Sequence, residues 1–194
     1  LNLYITGISR SFNFPRTRGV FGETFDSNAN VTVTEVNSDA SQILYSTNLK
    51  TSGLILPSGL AIDPRGDAFV TGNIHPTSFI FPEDQGQQPG NPNQPVAYPM
   101  GSIQVTTAGV NGAVETALVG TNLQPTNGGT GDMATTDGWL NILSTDASTL
   151  LYGTYLGGSL DDRVYGPFVD SFGDVWVFGW TDSHRDYALY NSSG

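Results

Sequence analysis

The chain has 194 residues, 24 of them glycine and 11 proline, and carries a formal net charge of −11 with only 7 lysine and arginine residues. So few cations cannot neutralise a run of phosphates, so we expect neither nucleic-acid binding nor adhesion to anionic membranes. The absence of cysteine excludes disulfides and thiolate metal sites, and no apolar run reaches the ~20 residues of a membrane helix. Abundant turn formers, β-branched and aromatic residues, without a helical apolar period, predict an all-β fold.

The first predicted element is a lone strand, LYITG at Leu3–Gly7, followed by a connector that ends at residue 30. Its sequence is similar to the ends of two later segments, AFVTG at Ala68–Gly72 and VWVFG at Val175–Gly179. Residues 1–30 therefore predict a partial repeat unit, in which the last strand of the unit stands alone.

Two complete units follow, at residues 31–82 and 131–183, and equivalent residues such as Gly66 and Gly173 are 107 positions apart. The first unit has four short β patterns, at Val31–Val36, Gln42–Leu49, Gly59–Ile62 and Ala68–Gly72. The second has them at Trp139–Leu143, Leu150–Leu156, Tyr165–Val169 and Val175–Gly179. An Asp-x-x-Gly turn before the last pattern predicts a hairpin closed by a type I turn. Four antiparallel strands with such a hairpin are typical of one propeller blade.

Residues 83–130, between the two units, are predicted to form an arm. Glu83–Pro99 is rich in Pro, Gln, Asn and Gly, which favours an extended chain. Asn111–Gly112 lies between apolar runs in Ser102–Val119 and predicts a β-hairpin. The arm is either a tolerated surface insertion or a contact with a neighbouring subunit. Residues 184–194 form a C-terminal tail.

One segment resembles a known repeat. LLYGTYLGGSLDDRVYGPFVDSFGDVWVFGWTDS, at Leu150–Ser183, is similar to the SBBP repeat, the β-propeller repeat of bacterial secreted proteins. ILYSTNL and GLAIDPRGDAFVTG in the first unit, and LYITGISRSFNFP at the start, resemble the same pattern. Lys50–Ser58 departs from it, because KTSGLILPS stands where the family has a Gly-Gly pair and aspartates. The resemblance implies propeller blades and a secreted or cell-surface protein, with no catalytic chemistry common to the family.

Two complete blades plus a leading strand cannot close within one chain, because propellers use about 4–8 blades. Three explanations are open: a piece of a longer polypeptide, two blades packed face to face as a small sandwich, or a leading strand that completes the sheet of the next molecule. The third explanation gives filaments unless the contact closes a ring. The residues predicted at this joint are Leu3, Tyr4 and Ile5 in the leading strand and Tyr187, Leu189 and Tyr190 in the tail.

Few residues suggest chemistry. Asp161 and Asp162 are candidates for a calcium site, although they lack a spaced ligand loop and such aspartates commonly cap backbone amides. No nucleophile elbow or distinctive carboxylate pair occurs, so we expect neither an enzyme nor a cofactor. Arg65–Gly66–Asp67 matches an adhesion tripeptide, but the repeat assigns its Gly-Asp to the hairpin turn.

Candidate sugar contacts are of two kinds. Asn30 and Asn191 begin acceptor sequons for N-glycans. Trp180 follows the glycine that ends its strand and is the candidate for stacking on a sugar ring, whereas Trp176 alternates within the strand and is expected in the core.

These patterns together predict a non-enzymatic structural glycoprotein, secreted or at the cell surface. Its main partners would be copies of itself, joined head to tail through edge strands in a fibre or surface layer, with glycans as further partners. The alternative is a carbohydrate- or ligand-binding propeller module excised from a larger secreted or cell-surface protein.

Overall fold

The computed structural model describes residues 1–21, 30–49, 54–75, 103–108, 114–119 and 135–183. The strands are β1 (Leu3–Ser9), β2 (Asn30–Val36), β3 (Ile43–Leu49), β4 (Leu54–Ile62), β5 (Ala68–His75), β6 (Ile103–Ala108), β7 (Val114–Val119), β8 (Asp137–Leu143), β9 (Leu150–Leu156), β10 (Asp162–Val169) and β11 (Val175–Thr181). All strand pairs are antiparallel. The all-β prediction is confirmed, and the described sheets do not close into a propeller. Within these ranges no helix has the length and apolar character needed to cross a membrane.

The strands form three stacked sheets and a separate hairpin. The first sheet has the order β1-β2-β3, the second β4-β5-β8-β9, and the third β10-β11. The separate hairpin pairs β6 with β7, where the sequence predicts one around Asn111–Gly112, although residues 109–113 themselves lie outside the described residues.

Each sheet draws its strands from consecutive copies of the sequence repeat. The copy at residues 31–82 gives β2 and β3 to the first sheet, and β4 and β5 to the second. The copy at residues 131–183 is divided in the same way between the second and third sheets. The predicted grouping of each copy into one blade is therefore corrected. The sequence placed β5 at the end of a blade. In the structure β5 is buried along nearly its whole length and is an inner strand, because it pairs with β4 on one edge and with β8 on the other.

The first and second sheets use the same register. Gly7 lies opposite Thr32 in the first sheet, and Gly72 lies opposite Trp139 in the second. The β2–β3 and β8–β9 pairs also share a bulge at equivalent positions. Among the described residues, β1, β2 and β3 of the first sheet thus correspond to β5, β8 and β9 of the second, and no strand of the first sheet corresponds to β4. In the third sheet β10 and β11 correspond to β4 and β5, and no described strand corresponds to β8 or β9.

The two predicted Asp-x-x-Gly turns form as expected. The Gly66 N–H donates to the Asp63 carbonyl over 3.0 Å, and the Gly173 N–H donates to the Asp170 carbonyl over 3.1 Å. Both glycines have positive φ, 97° and 88°, which side chains other than that of glycine rarely adopt. These turns fix the hairpins β4–β5 and β10–β11.

The largest core lies between the first and second sheets. It contains Val31, Val33, Tyr45 and Leu49 from the first sheet, and Ile55, Ala68, Val70, Ile74, Trp139, Leu143, Leu150 and Tyr155 from the second. Burying such side chains contributes about 1.5–3 kcal/mol each. This core therefore holds the two sheets face to face.

The third sheet covers the opposite face of the second sheet, where β10 packs against β4, β5 and β8. The Asn73 amide of β5 donates to the Val164 carbonyl of β10 over 3.1 Å and accepts from the Val164 N–H over 2.8 Å. The backbones approach closely at Gly59 and Gly166, since a Cβ on Gly59 would meet the Gly166 Cα. One strand, β10, thus makes most of this second contact between sheets.

Replacement of Gly72 by alanine should destabilise the fold more than the equivalent Gly7→Ala. A Cβ at Gly72 would meet the Trp139 ring and the Leu56 carbonyl oxygen, whereas at Gly7 it would meet only Thr32 Oγ1, at 3.9 Å. Overpacking costs about 1–3 kcal/mol, so G72A should lose that much free energy of unfolding in urea, and G7A less than ~0.5 kcal/mol. Equal losses would contradict the packing described around Trp139.

Candidate functional site

The most unusual surface in the described residues is one face of the third sheet. Cross-strand pairs place Tyr165 opposite Phe178, and Phe168 opposite Trp176. The exposed side chains of this aromatic face are Tyr165, Phe168, Trp176, Phe178 and Trp180. Contiguous apolar patches of this kind on a soluble protein mark interaction sites.

The repeat shows what normally covers this face. Trp176 and Phe178 are equivalent to Phe69 and Thr71 in the second sheet, where the two side chains are 4% and 0% exposed. That side of the second sheet is covered by β10. In the third sheet, Trp176 and Phe178 are 56% and 62% exposed. Among the described residues, the aromatic face is therefore a sheet-packing face without its covering sheet.

Polar contacts hold the rings of the aromatic face in place. The Trp180 indole N–H donates to the Tyr165 hydroxyl over 3.1 Å, and the Arg163 guanidinium lies 5.6 Å from the centre of the Trp180 ring. The Trp176 indole N–H donates to an Asp170 carboxylate oxygen over 3.1 Å. These contacts hold the Trp176 and Trp180 rings in fixed orientations on the aromatic face.

Asp170 connects the aromatic face to its hairpin turn. The indole bond from Trp176 is the largest influence that holds the pKa of Asp170 below its ordinary value of 3.8, and backbone N–H bonds from the turn act in the same direction. The same carboxylate also accepts from the N–H groups of Phe172 and Asp174. Asp170 therefore links the fold of the turn to the position of the Trp176 ring.

A second apolar surface lies at the other end of the stack, on the side of the first sheet that faces away from the second. We call it the outer patch. It consists of Leu3, Ile5, Val36 and Ile43. Leu3, Val36 and Ile43 form one cross-strand row, and Ile5 lies two residues along β1, opposite Thr34. Their equivalents Ala68, Val70, Leu143 and Leu150 are all buried in the core that joins the first and second sheets. The outer patch is thus also a packing surface whose covering sheet is not among the described residues.

The leading strand is not the unpaired element that the sequence suggests. β1 pairs with β2 over its full length, and the Tyr4 hydroxyl donates to the Glu35 carboxylate over 2.7 Å. Burial and the neighbouring carboxylate raise the pKa of Tyr4 to about 12. Of the predicted joint residues that the structure describes, Leu3 and Ile5 point to the outer surface and Tyr4 points to the core. Tyr187, Leu189 and Tyr190 lie outside the described residues.

The calcium candidates act as backbone caps. An Asp161 carboxylate oxygen accepts from the Thr136 N–H over 2.8 Å, and an Asp162 oxygen accepts from Gly158 N–H and Ser183 Oγ–H. In the described part of the chain, no group of three or more acidic or histidine side chains is placed to hold a metal. These two aspartates secure the loop before β10 against the second sheet.

The structure also bears on the two remaining surface candidates, the N-glycan sequons and the RGD tripeptide. Asn30 is wholly buried, so a glycan cannot be attached there in the folded chain, and Asn191 lies outside the described residues. Arg65 forms ion pairs with Asp63 at 2.9 Å and Asp67 at 3.3 Å. The RGD tripeptide is therefore part of the turn and is not presented as an open loop.

Comparison with known proteins adds no assignment. No protein-family model matches the chain, and no curated protein matches it either. The resemblance to the SBBP repeat stays a prediction from the sequence.

Sequence reasoning found Trp180 as a surface residue, and it is 41% exposed. It missed most of the aromatic face, because the alternation that places Trp176 on one side of β11 does not say whether that side is covered. A comparison of the two sequence copies would have indicated the aromatic face. Where the first copy has Phe69, Thr71 and Asn73, the second has Trp176, Phe178 and Trp180. At these three positions the aromatic Phe69 is replaced by a larger ring, and the polar Thr71 and Asn73 are replaced by aromatic side chains.

Acid should release Trp176 from Asp170. Because the folded-state pKa of Asp170 is depressed, its stabilisation is present above pH ~4 and is lost as the pH falls through that lower value. We expect a change in tryptophan fluorescence below pH ~4 that Asp170→Asn removes.

Asp39→Asn is the matched control for this titration. The pKa of Asp39 is also lowered, but its carboxylate bonds to Ser41 rather than to an indole. Its variant should titrate like the parent. A fluorescence step that survives in D170N would contradict the role given to Asp170.

Proposed function

We propose that the chain is a non-enzymatic structural protein that acts outside the cell and assembles with further copies of itself, head to tail, into a fibre or surface layer. The observation that carries the proposal is that, within the part of the chain that the structure describes, the stack of sheets has an exposed apolar surface at each end. The aromatic face stands at one end and the outer patch at the other, and the residues equivalent to both are buried in the second sheet.

The two ends favour a polar arrangement of subunits. The aromatic face is built from β10 and β11, and the outer patch from β1, β2 and β3. Because the surfaces differ, a contact between them is heterologous and repeats from one molecule to the next. A symmetric dimer would cover only one end of each stack, leaving the other exposed.

Edge strands supply a second means of continuation. The edge of β1 that faces away from β2 carries no strand among the described residues, whereas the equivalent edges of β5 and β11 carry β4 and β10. Free strand edges accept further strands through backbone hydrogen bonds. Edge-strand complementation therefore belongs to the proposal, with β1 receiving a strand while it stays paired within its own chain.

A location outside the cell is supported by composition and by the resemblance to the SBBP repeat of secreted proteins. Charged residues make up only 13% of the chain, so its polar character comes mainly from serine, threonine, asparagine and glutamine.

A carbohydrate-binding module is the second candidate, and one observation favours it. Trp176, Trp180 and Tyr165 expose ring surfaces on the same face, and such rings stack on sugars while their polar atoms bond at the edges. A module of this kind would be a monomer that binds polysaccharide, and Trp180→Ala would abolish that binding.

Phe178→Thr should weaken assembly. Threonine stands at the two equivalent positions, Thr6 and Thr71, so the strand accepts it. The substitution removes the side chain with the highest exposed fraction on the aromatic face, 62%. Sedimentation velocity over a range of concentrations, with negative-stain microscopy, should show large species for the parent and mainly monomers for F178T.

Phe172→Thr makes the same chemical change at the hairpin turn, where the ring is 90% exposed, and should assemble like the parent. Salt gives a further expectation: because each copy carries a net charge of −11, screening should strengthen an apolar contact between copies. A parent that stays monomeric at every concentration and salt would refute the proposal.

A further inference from the structure

We infer that the aromatic face of one molecule packs on the outer patch of a second copy. This contact would reproduce, between molecules, the one that joins the first sheet to the second within a molecule. The inference rests on the proposed function, and it adds the two surfaces and their pairing.

The donor side of the internal contact is the inner face of the first sheet. Tyr4 packs there against the core shared with the second sheet. By the repeat, Tyr4 is equivalent to Trp176, and Thr6 to Phe178. The aromatic face is thus the third sheet's version of a face that the chain already uses to bind a neighbouring sheet.

The acceptor side of the internal contact is the face of the second sheet that carries Ala68, Val70, Leu143 and Leu150. All four side chains belong to buried positions, from 0% to 7% exposed. The outer patch has Leu3, Ile5, Val36 and Ile43 in their places, with the same cross-strand pairing. Thr32 and Thr34 on the same face are buried. The open part of the acceptor surface is therefore formed by Leu3, Ile5 and Ile43, which are 44% to 53% exposed.

The absence of cysteine in the chain allows a direct test by thiol cross-linking. One variant carries Leu3→Cys on the outer patch, and another carries Phe168→Cys beside Trp176 on the aromatic face. Both positions are more than half exposed, and both leave Ile5, Trp176 and Phe178 intact. The two variants are mixed and treated with a short bifunctional thiol reagent.

The mixture should give a covalent dimer of the two different variants at least ~10-fold faster than either variant alone, because assembly raises the local thiol concentration. Two control mixtures pair L3C with Phe172→Cys, and F168C with Phe12→Cys. The control thiols are at least as exposed as the test thiols and belong to neither of the two surfaces, so they should cross-link only at the slow collision rate.

Other outcomes overturn the inference in distinguishable ways. Rapid self-coupling of F168C would show a symmetric contact between aromatic faces. Unchanged large assemblies without the L3C–F168C product would place the contact elsewhere, while the proposed assembly would stand. Monomers in every sample, with or without polysaccharide binding, would remove both the assembly and the contact.

Discussion

Burial of both faces of the second sheet is the constraint on which the rest of the structure depends. β5 is covered on one face by the first sheet and on the other by β10, and it pairs with a strand on each edge. Apolar side chains on both faces require a neighbour on both sides. The first and third sheets are built from the same repeat, yet each has such a neighbour on one side only among the described residues. The apolar rows that stay exposed at the two ends follow from that difference.

The division of each sequence copy between two sheets strengthens the stack. A copy gives one hairpin to each of two adjacent sheets, so the covalent connection crosses every sheet boundary. Side-chain bonds such as those of Asn73 to Val164 cross the same boundary. A chain organised in this way keeps a constant relation between successive sheets. That regularity makes the internal contact a sound template for a contact between molecules.

The sequence predicted the all-β class, the internal repeat and both Asp-x-x-Gly turns, because these features depend on local patterns. The turns, for example, need a residue such as Gly66 that adopts a positive φ, and few residue types other than glycine do so. It did not predict which hairpins share a sheet, since that depends on burial of β5 on both faces and edges. The exposure of individual side chains was not predictable either. Trp176 has the alternation of a core residue and is half exposed, whereas Asn30 begins a glycosylation sequon and is wholly buried. Local pattern assigns a side chain to one side of a strand, and only the stacking of the sheets decides whether that side is covered.

The most direct test of stack continuation is hydrogen–deuterium exchange of the backbone amides at two protein concentrations, one below and one above the onset of assembly. If further copies complete the two ends, amides of β1, β10 and β11 exchange more slowly in the concentrated sample, while those of β5 and β8 are protected equally in both. Exchange that is independent of concentration in all five strands would contradict this view. The chain would then be a self-contained molecule whose exposed apolar rows serve another purpose.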